Sequence, residues 1–142
     1  MRIDYGKYLA QSEKAVSLKA IRDDLSDRVR DARLDHTTAL TAAMRGLDFG
    51  LERSTLMALG VTGRDRSAIK RHLTEDPAGL YHIFALNGDG AAHIVKAFMD
   101  SKARLDRLEQ RFAEVDRESA QAWSLLTKMK EFILSIDGVL PV

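Results

Sequence analysis

The hydrophobic positions of this 142-residue chain recur every three or four residues along most of its length, which predicts helices rather than strands. The first helix is predicted from about residue 8 to residue 45. Its apolar stripe is Leu18, Ile21, Leu25, Val29, Ala32, His36, Leu40, Met44 and Leu47. The stripe advances about 3.6 residues per step, the period of a straight amphipathic helix lying on a body. Asp24 with Arg28, and Lys19 with Asp23, are opposite charges four residues apart on the other face, a spacing that supports a solvated helix surface.

A second long helix is predicted over 91–137, with Asp89 as its N-cap and Gly138 just past its end. No Gly or Pro interrupts it. Steps of three and four from Ala91 pick out Ile94, Phe98, Ser101, Leu105, Leu108, Phe112, Val115, Ser119, Ala122, Leu126, Met129, Ile133 and Ile136. Only the two serines break an otherwise apolar line, whose mean step of about 3.5 residues demands supercoiling against another helix. At 1.5 Å per residue such a helix extends about 70 Å. A compact chain of this size is only about 37 Å across.

The first helix, about 57 Å long, covers part of that line, and a second copy of the chain is the natural supplier of the rest. The expected interface of this homo-oligomer, a dimer first of all, is Phe98, Leu105, Leu108, Phe112, Val115, Leu126, Met129, Ile133 and Ile136. In a parallel dimer Arg104 would meet Glu109 of the second copy, and Arg111 its Asp116. Beyond Ser119 the flanking positions Trp123, Leu125 and Phe132 are also apolar. The last third of the helix is therefore expected to be covered on more than one side, as in a bundle.

Three short helices are predicted between the long ones, over about 51–59, 64–74 and 77–86. Gly60 suits the end of the first, and Asp76-Pro77 is a cap followed by proline at the first helical position. Helix, "GVTG", helix is also the outline of a helix-turn-helix. Arg64, Arg66, Ser67, Lys70 and Arg71 are the candidate phosphate contacts, with His72 added when protonated. The pattern has faults. Leu56 occupies a position that normally holds a small residue, Arg66 falls where an aliphatic side chain should be buried, and Gly63 weakens the first turn.

Composition narrows the function classes. Lys and Arg total 22 against 21 Asp and Glu, so no global field draws the chain to nucleic acid or anionic lipid, and an electrostatic partner needs a local patch. The absence of cysteine removes disulfides, thiolate metal sites and Cys nucleophiles. The charged start "MRIDYGKYLAQSEK" is unlike a signal peptide, and no apolar run reaches the roughly 20 residues of a membrane span. A cytoplasmic protein without membrane contact is expected.

Candidate chemistry is sparse. "NGDG" at 87–90 does not fit a calcium loop, because Ala85 and Lys96 fall where carboxylates are required. It reads instead as the end of one helix and the start of the next. His36, on the first helix's stripe, reads as a hydrogen-bonded core histidine, and His72, His82 and His93 form no metal-ligand spacing. No phosphate-binding loop or nucleophile motif occurs. The expectation is a single all-α domain with no cofactor, metal or catalytic residue. It would act as a helical protein–protein interaction module, a self-associating regulator, adaptor or assembly subunit. The alternative is a dimeric DNA-binding regulator using residues 51–74.

Overall fold

The computed structural model describes residues 5–48, 51–61 and 67–137, and every regular element among them is an α-helix. α1 spans Tyr5–Gly46, α2 Arg53–Ala58, α3 Ser67–Glu75, α4 Pro77–Leu86 and α5 Ala92–Asp137. This is the expected plan of two long helices joined by three short ones. The beginning of the helix expected at 64–74, with Arg64 and Arg66, lies outside the described residues, as do residues 138–142. Contacts divide the chain into two compact units, Met1–Arg30 with Arg107–Val142, and Asp31–Asp106. α1 and α5 contribute to both.

The breaks between the short helices are built by local hydrogen bonding. After α2, Gly60 adopts φ 68°; its N–H donates to Met57 O at 3.1 Å, and Val61 N–H donates to Leu56 O at 2.9 Å. That pair satisfies the last-turn carbonyls and turns the chain, at a backbone angle glycine tolerates best. The same device ends α4: Gly88 has φ 64°, its N–H donates to Ala85 O at 3.1 Å, and Asp89 N–H donates to Phe84 O at 2.9 Å. "NGDG" is thus a helix end followed by a helix start. α4 begins with the Asp76 carboxylate accepting from Gly79 N–H at 3.1 Å, and Pro77 occupies the first helical position.

Asp89 has a second task. Its buried carboxylate accepts from Ala91 N–H and from Glu52 N–H, both at 2.9 Å. One side chain therefore ties the stretch before α2 to the start of α5. The larger unit's core is formed by Ala43, Leu47, Leu59, Ile69, Leu73, Leu80, Phe84, Val95 and Phe98. α4 is the hub, since both α2 and α3 pack on it.

The stripe of α1 departs from the straight 3.6-residue reading at two positions: Ala43 rather than Met44 is fully buried near its end, and the other departure is at Ile21. Ile21 is exposed, and Arg22 takes the inward seat. Arg22 lies 5.6 Å from the centre of the Phe112 ring and pairs with Asp116. The inward positions run Ala15, Leu18, Arg22, Leu25, Val29, Ala32 and His36, in alternating steps of three and four. α1 thus follows the same underwound period as α5, which is what two helices need to stay in register side by side.

Thr55 is fully buried in α2, and its hydroxyl has no hydrogen-bond partner. An unpaired buried hydroxyl carries its desolvation cost with nothing to offset it. Thr55→Val keeps the shape and removes the orphan, so urea denaturation is expected to show a gain of about 1 kcal/mol. A loss would mean that the hydroxyl is bonded in solution.

Candidate interaction surface

The residues expected to form an interface between copies mostly have cover inside one chain. Phe98 belongs to the core of the 31–106 unit. Val115, Leu126 and Ile133 are buried, and Leu105, Leu108, Phe112 and Met129 are half-buried. Ile136 alone of that set is exposed. In the unit formed by 1–30 and 107–142, Ala122 and Leu126 pack with Ala15 of α1, flanked by Tyr8 and Leu18. Gln11 Nε2 donates to Ala122 O at 2.9 Å, which fixes the antiparallel register there.

The charges expected to pair between copies are also engaged within the chain. Arg104 meets Asp35 at 3.3 Å, Arg111 meets Glu114 at 3.6 Å, and Asp116 holds Arg22. The hydrogen bond from Arg22 to Asp116, then its negative charge, keeps the guanidinium ionised more firmly than usual. All these groups are at least partly exposed, so they select the pairing more than they stabilise it.

His36 behaves as a satisfied, half-buried histidine. Its Nδ1 lies 3.1 Å from Ser101 Oγ, and its ring centre lies 5.1 Å from that of Phe98. The Ser101 hydroxyl donates to Phe98 O at 2.7 Å. Ser101 Oγ therefore accepts, and Nδ1 carries the hydrogen. Among the described residues, no group of three or more His, Asp or Glu side chains is placed to hold a metal. No described helix is long and apolar enough to cross a membrane.

What the chain leaves uncovered is more informative than its polar groups. Eleven large hydrophobic residues are exposed among those described. Leu34, Met57 and Leu86 belong to the 31–106 unit; Leu9, Val16, Ile21, Trp123, Leu125, Phe132, Leu134 and Ile136 belong to the two-helix unit. Two helices cover each other along one line only. The apolar flanks of α5 beyond Ser119 consequently remain open, with Trp123 38% exposed, Leu125 49% and Phe132 48%. The sequence pointed to these flanks. It did not point to Leu9 and Val16, whose seven-residue spacing on the far side of α1 was the available signal.

Successive residues turn by about 100°, so Trp123 and Leu125 lie on opposite sides of the pair. On one side a groove of about 490 Å³ is lined by Gln11, Lys14, Leu18, Glu118, Gln121 and Leu125, among others. On the other a groove of about 280 Å³ is bordered by Lys19, Arg22, Asp116, Ser119, Ala120 and Trp123. Val16 is one turn before Lys19 and Leu9 is two turns before Val16, which places both on the Trp123 side.

Of the candidate nucleic-acid contacts, Ser67, Lys70 and Arg71 are exposed on α3, while Ile69 and Leu73 of the same helix are buried. Arg64 and Arg66 lie outside the described residues. No protein family, curated protein or solved structure matches the chain.

Leu126 and Phe132 separate core from surface in the two-helix unit. In dilute solution Leu126→Ala is expected to lower stability by about 2–5 kcal/mol. Phe132→Ser should stay within about 0.5 kcal/mol of the parent. Equal losses in thermal unfolding would show that Phe132 is packed inside the folded chain.

Proposed function

We propose that the chain is a non-enzymatic helical interaction module that self-associates, serving as a regulator, adaptor or assembly subunit. The observation that carries this reading is that eight large hydrophobic side chains remain exposed on the two-helix unit, on its two sides. Singly scattered surface hydrophobics are ordinary, but several on one small unit, with Leu9, Val16, Trp123 and Leu134 sharing one side, are a mark of a surface that meets another molecule. The solution mass tests it. Sedimentation at up to about 100 μM, where a micromolar complex is mostly formed, should give more than one chain per particle. A mass of one chain throughout that range contradicts the reading.

A second reading, a dimeric DNA-binding regulator, is favoured by α3. Ile69 and Leu73 anchor the helix in the core, and Ser67, Lys70 and Arg71 are presented outward. Phosphate-led binding weakens steeply with salt. On this reading the chain binds random duplex DNA at about 50 mM salt, and Lys70→Glu with Arg71→Glu abolishes that binding. Undetectable binding by the unmodified chain excludes it.

A further inference from the structure

We infer that the side of the two-helix unit carrying Leu9, Val16, Trp123 and Leu134 is the surface on which a second copy of this chain docks, forming a four-helix bundle. This rests on the self-association reading above and names the face and the occupant. On this side both helices offer apolar side chains. Val16 of α1 is one turn from Lys19, and Lys19 shares a groove with Trp123 of α5. Leu9 extends the patch along α1 and Leu134 extends it along α5, both exposed.

A two-fold axis running parallel to the helices would lay α1 of one copy on α5 of the other. Ala15 packs on Ala122 within one chain, so Val16 is level with Trp123. It then faces the second copy's Trp123, and the second copy's Val16 faces Trp123 of the first, with Leu9 flanking the contact about 10 Å further along α1. The Val16 and Trp123 pair is self-complementary without any sliding, and each contact occurs twice, as an isologous interface requires. The opposite side does not have this property. Both sides carry charged groove residues, Lys19 and Arg22 here and Lys14 there. On the opposite side, however, the α1 residues level with Leu125 are Lys14 and Gln11, and the exposed Ile21 lies about two turns further along. The same operation therefore sets no aliphatic side chain on Leu125.

The area fits a modest dimer. Four large side chains, each roughly half exposed, leave on the order of 300 Å² of apolar surface. At the roughly 60% apolar share of interfaces, that corresponds to a patch of about 500 Å² per copy. Two copies bury about 1,000 Å², the lower bound for a specific interface. The assembly should therefore form in a concentration-dependent way rather than permanently. A tryptophan in such a contact is among the side chains most often found to dominate binding.

Trp123 is the only tryptophan of the chain, so its fluorescence reports this surface directly. Dilution of the 142-residue chain is expected to shift its emission to longer wavelength, in step with the fall in sedimentation mass from two chains to one. Val16→Asp and, separately, Leu9→Lys should hold the protein at one chain with unchanged helical circular dichroism, since both residues are exposed. Phe132→Asp, on the other side, should leave the dimer intact. A dimer that survives both Val16→Asp and Leu9→Lys, or one lost only in Phe132→Asp, overturns the choice of face while self-association stands. A chain that is monomeric at all concentrations overturns both. An oligomer whose Trp123 emission does not respond to dissociation also places the contact elsewhere.

Discussion

The apolar line of α5 cannot stay in water, and the chain's own α1 is what covers it. Where residues 1–30 meet residues 107–142, Ala15 sits against Ala122 and Leu126, and Gln11 fixes the antiparallel register on the Ala122 carbonyl. Within 31–106, His36 reaches Ser101 and Asp35 reaches Arg104. The two long helices meet in both places through a three-and-four spacing present on each of them. Coiled-coil-like packing requires this shared period, and it explains why α1 seats a charged residue, Arg22, where Ile21 would suit a straight helix. Arg22 meets the position by laying its guanidinium near Phe112 and giving its charge to Asp116.

The short helices serve this pairing by reversing the chain. Two glycine-closed helix ends, at Gly60 and Gly88, turn it sharply, and Asp89 joins the approach to α2 with the start of α5. Ile69, Leu73, Leu80 and Phe84 then fill the space beside α1 and α5 in the 31–106 unit. That unit has several elements to surround its core. The other has only two helices, and a pair of helices buries one line on each. Its exposed hydrophobics follow from that geometry.

Much of the fold was legible in the sequence because several helix ends had local chemistry: Asp76-Pro77, Gly60 and "NGDG" all act as their residue types suggest. The a/d line on α5 was equally legible, but periodicity shows only that a partner helix exists. It cannot say whether that helix belongs to the same chain. Val115, Leu126 and Ile133, read from spacing as contacts between copies, are buried within one chain. The flanks Trp123, Leu125 and Phe132 were readable because apolar residues departed from the polar pattern expected beside the line. Leu9 and Val16 were not, since two hydrophobics seven residues apart in a polar stretch look like ordinary surface until their neighbours across the groove are known.

The central claim is that α1 of a chain covers α5 of that same chain. The absence of native cysteine makes a direct measurement clean. Lys14→Cys with Gln121→Cys places two thiols on one groove, one from each helix. A short bis-maleimide should join them within one chain, at a yield independent of protein concentration, and the product should keep the mass of a single chain. Cross-linked product found only at twice that mass, with a yield that rises with concentration, would contradict the account.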